Sequence, residues 1–317
     1  MNRLRVTIAG AGGTGVSLAE ALAIRGDVDV SLIDVRGDLA TGRALDIQHS
    51  RPLLRTDFSI AGGADLALMD NTDVVVITAG QGRRPGMARE DLVFVNGAIV
   101  DNIAREAKAR CPDAFLVILT NPADLMTQVA REASGFAPER VIGQGGILDS
   151  ARLSANIADA LGISVLDVQA MVLGGHGDSM VPVADFAAVH GIPVRHLLDE
   201  TTWNHIVHRT RYAGSEVLSH FETHGAAFTP GWSLAVMVQA LTSPTPRLLP
   251  ISTFAHGTYG LPDVCLGLPA LLSYRGVEQV VEIPLAADEA SALSESASTL
   301  QRAWAKYKTS LGHPGSP

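Results

Sequence analysis

The sequence predicts an α/β chain: a doubly wound, mostly parallel sheet over the first half, followed by a second lobe of α+β type. Three observations carry this. Short apolar runs such as Val74 to Ile77 alternate with amphipathic helical patterns through about residue 144. The chain has 317 residues, more than the roughly 250–300 at which single cores stop growing, and the pattern changes after 144, dividing it into 1–144 and 145–317. Thirty-one glycines, 47% apolar and only 5% aromatic residues suit tight βα turns and exclude a disordered or fibrous chain.

Taken in order, residues 5–9 form a first strand, Gly10 to Gly15 a glycine turn, and a helix runs to about Arg25. A second strand spans 28–35 and ends near Asp34; a helix covers Ala40 to His49, and a weaker strand lies near Phe58 to Ala61. Asp73 to Thr78 and Ala114 to Leu119 are buried strands, because they read as near-continuous apolar runs. Between them, Leu92, Val95, Ile99 and Ile103 mark a helix ending near Arg110. In the second half, helices are expected at 150–161, 201–222, 233–241 and 288–308, and strands at 168–173, 250–256, 264–272 and 277–283. Ser243 to Pro250 reads as a proline-rich connector, and the last six residues as a frayed end.

Charge narrows the function. Twenty-four basic and 33 acidic residues give a formal net charge of −9 with no basic stripe, which excludes nucleic acid as a partner. An anionic substrate must then be caught by local positive charge. Cys111 and Cys265 form no C-x-x-C and read as reduced, packed thiols of a cytoplasmic protein. The first strand leaves no room for a signal peptide. No apolar run reaches the ~18 residues of a membrane span, so a soluble protein without membrane contact is expected.

The motifs point to a nucleotide. Gly10-x-Gly12-x-x-Gly15, with Ala11, Gly13 and Thr14 between, sits between a strand and a helix. Its glycines permit the tight turn, the approach of a pyrophosphate and close helix–strand packing, and the helix N-terminus meets the phosphates. Asp34 follows about twenty residues on, where a carboxylate holds both ribose hydroxyls and repels a 2′-phosphate; this is a Rossmann-type fingerprint favouring NAD, with Arg36 close by. Arg83, Arg84 and Arg89 crowd a Gly/Pro-punctuated stretch leaving the strand that ends at Thr78, the end of an open sheet where ligands bind. Asn121-Pro122 closes a further strand, where the Asn amide can face a nicotinamide. Asp149 and Arg152 lie three apart on one helix face. His176 stands among glycines in G-G-H-G-D after an apolar strand. Of the ten histidines, His49, His190, His196, His205, His208 and His313 read as surface residues. His220 and His224 lack the glutamate of a zinc-binding helix, so no metal is expected.

Read in order from residue 5 to about 285, G-A-G-G-T-G, T-A-G-x-x-R-R-P-G-M-x-R, T-N-P-A-D, L-D-S-A-R and G-G-H-G-D-S-M-V-P resemble the lactate/malate dehydrogenase family, closest to its lactate-dehydrogenase-like malate dehydrogenases. The resemblance implies an NAD-binding lobe, a catalytic lobe, a homodimer or homotetramer, and work in the tricarboxylic acid cycle. It implies His176 as proton donor and acceptor and Asp149 as the carboxylate that orients it. It implies Arg152 on the substrate's C1 carboxylate, Arg89 on its carbonyl, and Arg83 at its far end. Asn96, Leu119, Thr120 and Asn121 are implied as further cofactor contacts, Asn121 touching substrate as well.

The chemistry agrees with these roles. Hydride transfer to a ketone builds negative charge on oxygen, which a protonated histidine beside a carboxylate neutralises. A guanidinium grips a carboxylate through two parallel hydrogen bonds. Three arginines and one acid suit a dicarboxylate such as oxaloacetate or malate. A lactate enzyme needs a neutral residue at position 83, since a buried guanidinium facing a methyl group lacks a partner; Met87 also argues against lactate. Other readings are a different 2-hydroxyacid dehydrogenase, an NAD-dependent glycosidase, which needs a metal-binding Cys/His pair, and a non-catalytic NAD-binding regulator. A short-chain dehydrogenase is excluded by the lack of Y-x-x-x-K. The segment 223–233 departs from the family pattern: His224 replaces a usual glycine, Ala226 falls near the substrate, and Trp232 is unexpected.

Overall fold

A computed structural model describes residues 3–82, 89–221 and 225–311. In chain order the elements are β1 (Leu4–Ala9), α1 (Gly13–Arg25), β2 (Val28–Ile33), α2 (Gly37–His49), α3 (Arg51–Leu54), β3 (Ile60–Gly63), β4 (Val74–Ile77), α4 (Arg89–Arg110), β5 (Phe115–Ile118), α5 (Ala123–Ser134) and β6 (Val141–Gly143). There follow α6 (Gly146–Leu161), β7 (Val168–Gln169), β8 (Val172–Gly174), β9 (Met180–Pro182), β10 (Ala188–Val189), β11 (Ile192–Pro193), α7 (Glu200–Phe221) and α8 (Phe228–Leu241). The chain ends through β12 (Arg247–Phe254), β13 (Cys265–Ser273), β14 (Gly276–Val280) and α9 (Ala287–Ser310). Among the described residues no helix is long and apolar enough to cross a membrane.

The chain forms two compact units. The first holds a parallel sheet in the order β3-β2-β1-β4-β5-β6. Every residue of β4 and β5 is buried, as expected of parallel strands covered on both faces. The order reverses between β1 and β4, and this switch point, at the carboxyl ends of the strands, is where open α/β sheets hold ligands.

The first unit is not confined to the first 144 residues. It also takes in Ala226–Arg247 and Leu272–Glu278, which the sequence expectation assigned to the second lobe. The reason is packing. The Ser17 hydroxyl donates to the Phe228 carbonyl at 3.2 Å, and Gly231 lies so close to α1 that a Cβ there would stand 2.6 Å from the Ser17 Cβ. Gln144 donates to the Pro230 carbonyl at 3.2 Å, and the Tyr274 amide donates to Ser243 at 3.0 Å.

The second unit contains nearly all of β12 and most of β13, with β8 and β9, β8 running antiparallel to both β13 and β9. A separate small antiparallel sheet runs β11-β10-β7. One core cluster gathers Leu173, Val181, Leu266, Leu268 and Leu293, and another Leu153, Ile157, Val172, Met180 and Ile206.

Four local expectations change. The single strand at 168–173 is two, β7 and β8, in different sheets. At the start of β8 the Val172 amide donates to Ser150 Oγ at 2.9 Å. The connector at 243–250 is strand from Arg247 onward, because proline's fixed φ is compatible with extended chain and Leu249 to Phe254 are all buried. Helix α6 begins at Gly146, not near Ser150. Helix α5, which apolar spacing did not single out, follows Asn121-Pro122 directly.

Candidate active site

In the first unit a cleft of about 680 Å³ opens at the switch point, lined by the ends of β1, β2 and β4 and by Ala98, Ile99, Asn102 and Ile103 of α4. Its volume falls within the range of small-molecule sites. The glycine turn shapes its floor. Gly10 has φ +117, and a Cβ on it would lie 2.6 Å from the Ala79 nitrogen; a Cβ on Gly15 would lie 1.9 Å from the Gly10 carbonyl oxygen. At Gly12 a Cβ would meet nothing within 4 Å, so the backbone there is open to the cleft. Helix α1 begins next to it with no side-chain cap and no acid in its first turn, which suits an anion on its N–H groups. Gly13 and Thr14 form that first turn, and Ala227 packs on Gly13.

Asp34 lines the cleft where β2 ends. Its Oδ2 accepts the Ala11 N–H at 2.8 Å and its Oδ1 the Arg36 N–H at 2.9 Å, and the Arg36 Nε stands 3.6 Å away. The carboxylate therefore pins the glycine turn as well as facing the cleft. Arg43 of α2 completes the clamp by donating to the Ala11 carbonyl. Nothing in the sequence around Arg43 marks this; it is one polar position on an amphipathic helix. The cradle fits a dinucleotide: an uncapped helix end for the phosphates, a carboxylate for a ribose, and apolar walls for a base.

Beside the cleft, the Leu119 amide donates to Ile77 at 3.0 Å, and buried Thr120 donates its hydroxyl to the Ala79 carbonyl at 2.7 Å. Asn121 is exposed and joined to Pro122 by a cis peptide. Asn96 is 1% exposed and turned inward from the cleft wall. Its Oδ1 accepts the Gln81 N–H at 2.7 Å, and its Nδ2 donates to the Gln81 carbonyl at 3.2 Å and to the Asn121 carbonyl at 2.7 Å. Arg83, Arg84, Met87 and His224 lie outside the described residues, and Arg89 opens α4 with its side chain likewise outside them. Trp232 is on α8, 38% exposed and ring to ring with Phe228 at 5.9 Å.

In the second unit, α6 carries Asp149 and Arg152 on one face, and His176 follows β8. Asp149 is 1% exposed. Its Oδ2 meets His176 Nδ1 at 2.8 Å and its Oδ1 meets an Arg152 guanidinium nitrogen at 3.3 Å. One buried carboxylate thus holds an imidazole and a guanidinium in fixed relation. The histidine loop is fixed at both ends: the Gly175 amide donates to buried Ser296 of α9 at 2.8 Å, and Arg211 of α7 donates to the Met180 carbonyl at 3.3 Å. Neither Ser296 nor Arg211 carried a sequence signal.

Known proteins share both halves. Residues 4–143 match the family model for the lactate/malate dehydrogenase NAD binding domain, and residues 147–310 that for the lactate/malate dehydrogenase alpha/beta C-terminal domain. A protein of Staphylococcus saprophyticus named malate dehydrogenase is 41% identical over 304 residues, covering 95% of this chain and 97% of its own. The solved malate dehydrogenase of Picrophilus torridus superposes with a TM-score of 0.94 at 35% identity, over 98% of this chain and 99% of that one. The lactate dehydrogenase of Cryptosporidium parvum, solved with lactic acid and nicotinamide adenine dinucleotide, gives 0.93 at 32% identity, over 99% and 100%. With the glycine turn and Asp34 on one unit, Asp149, Arg152 and His176 on the other, and family matches spanning both, the chain belongs to the lactate/malate dehydrogenase family.

Proposed function

We propose that the protein is an NAD-dependent malate dehydrogenase, interconverting (S)-malate and NAD⁺ with oxaloacetate, NADH and a proton. The observation that carries the reading is the Asp149 carboxylate shared between His176 and Arg152. The dinucleotide, held by the glycine turn and Asp34, supplies or accepts the hydride. His176 is tied to Asp149 through Nδ1, so Nε2 is the nitrogen that gives the proton to the keto oxygen of oxaloacetate, or takes it from the hydroxyl of malate. Asp149 sets the ring's orientation and favours the imidazolium. Arg152 has five N–H donors; one nitrogen serves Asp149 and the rest grip the C1 carboxylate.

Charge selects the substrate. Asp149, Arg152 and a protonated His176 sum to one positive charge, too little for a dianion in a protein of net charge −9. Arg89 at the carbonyl and Arg83 at the distal carboxylate supply the remainder in this reading, supported by relatives named malate dehydrogenase. Asn121 completes the contacts to substrate and nicotinamide. The test is steady-state kinetics with oxaloacetate and pyruvate. Oxaloacetate is expected to have the higher kcat/KM, and Arg83→Gln to move the ratio toward pyruvate. A wild-type preference for pyruvate refutes the malate reading, and an unmoved ratio refutes the role of Arg83.

The same reading makes the protein a cytoplasmic homodimer or homotetramer serving the tricarboxylic acid cycle. Two buried cysteines, Cys111 and Cys265, fit a reducing compartment, and Ile24, Leu45 and Phe228 leave apolar surface exposed. Sedimentation equilibrium tests the assembly; a monomer at micromolar concentration refutes it.

A further inference from the structure

We infer that Asn96 serves the reaction as a positioning residue for Asn121 and not as a cofactor contact. This rests on the nicotinamide-dinucleotide reading of the cleft. A carboxamide has two donor hydrogens and one acceptor oxygen. Both hydrogens of Asn96 are spent, on the carbonyls of Gln81 and Asn121, and its oxygen takes the Gln81 N–H. The opposite amide orientation would set oxygen against two carbonyls and NH₂ against an N–H, so the network fixes this one. At 1% exposure the side chain has no surface to offer a ligand.

The neighbourhood is built for the contact. A Cβ on Gly80 would lie 2.7 Å from Thr120 Cγ2 and 3.2 Å from Asn96 Oδ1, so glycine at 80 is what lets the three segments close together. Asn96 imitates a peptide toward Gln81 and reaches across to Asn121. It thereby joins the end of the β4 segment to Asn121, the exposed residue that the proposed function assigns to substrate and nicotinamide. Without it, Asn121 keeps its side chain but loses the anchor on its own carbonyl.

The experiment is a double-variant cycle with Asn96→Ala and Asn121→Ala, reading kcat/KM for oxaloacetate, alongside calorimetric binding of NADH and of ADP-ribose, which lacks the nicotinamide. Expected are a fall of about 30-fold for Asn96→Ala, a double variant no worse than Asn121→Ala alone, and ADP-ribose bound within about twofold of wild type. Additive losses overturn the inference, because the two residues then act separately. An equal loss of ADP-ribose affinity also overturns it, because Asn96 then supports the whole cleft. If Asn96→Ala does not fold, Asn96→Ser is put through the same cycle and judged by the same outcomes. Failure of the wild type to bind NADH overturns the cofactor reading itself, and the inference with it.

Discussion

Replacing Asp149 by asparagine tests the central geometry most directly. The carboxylate is 1% exposed and accepts from His176 Nδ1 at 2.8 Å and from Arg152 at 3.3 Å. Asparagine keeps the shape but has one acceptor oxygen, so it can satisfy either the imidazole or the guanidinium and must turn an NH₂ toward the other. A hydrogen bond to a charged group contributes roughly 1.5–3 kcal/mol. The upper value suits a short bond to a buried carboxylate and corresponds to a factor of about 100–200 in rate. Misdirecting the proton carrier raises the loss toward the whole contribution of general acid–base catalysis, about 10²–10⁴. We therefore expect Asp149→Asn to lower kcat/KM for oxaloacetate by roughly 10²–10⁴, followed by the absorbance of NADH. NADH affinity should stay unchanged, since Asp149 is on the second unit and the glycine turn and Asp34 on the first. The substitution cannot alter the overall equilibrium, so kcat/KM for malate oxidation must fall by the same factor as for oxaloacetate reduction. A loss below about tenfold, or one that appears only as weaker NADH binding, refutes the role given to the carboxylate.

Three further outcomes follow from the first unit. Gly12→Ala should fold as wild type, because its Cβ meets nothing, yet weaken NADH binding by at least about tenfold by filling the space a pyrophosphate needs; Gly15→Ala, whose Cβ would stand 1.9 Å from the Gly10 oxygen, should lower the melting temperature instead. Thermal unfolding and NADH titration separate the two, and equal behaviour refutes the account of the turn. Arg43→Met removes the donor to the Ala11 carbonyl and should weaken NADH binding about tenfold with kcat at saturating NADH unchanged; a change in kcat alone argues against the clamp. Burial pushes the Cys111 thiol up to about 11, so in native protein at pH 8 it should resist thiol reagents until the chain unfolds. An unfolded thiol ionises near its ordinary pKa of about 8.5, so the stability this buried thiol contributes is complete below that pH and is lost as pH rises through 11. Denaturant melts across that window should be flatter for Cys111→Ala than for wild type, and identical pH dependence refutes it.

Local pattern carried much of the molecule. The run at β4, the glycine spacing of 10, 12 and 15, and an acid about twenty residues later are legible because each is a short-range consequence of backbone sterics and strand or helix period. The same holds for Asp149 and Arg152, which share a helix face by their spacing of three. Less legible were features set by a partner far along the chain: the run 168–173 is two strands, the second opening with the Val172 amide on Ser150, and α8 packs on α1 through Gly231 and Phe228.

What the chain alone determined is the fold class and the glycine-turn pattern of a nucleotide-binding unit, since these follow from periodicity and from chemistry carried within a few residues, while the dehydrogenase reading came from the resemblance of its motifs to a family. Only the tertiary structure decided that Asp149 holds His176 across 27 residues, that Arg43 grips the Ala11 peptide across 32, and that both donor hydrogens of Asn96 are spent inside the protein. The physical reason is common to all three. A side-chain hydrogen bond between distant segments depends on where the folded chain places two atoms, and it leaves no periodic trace in either segment.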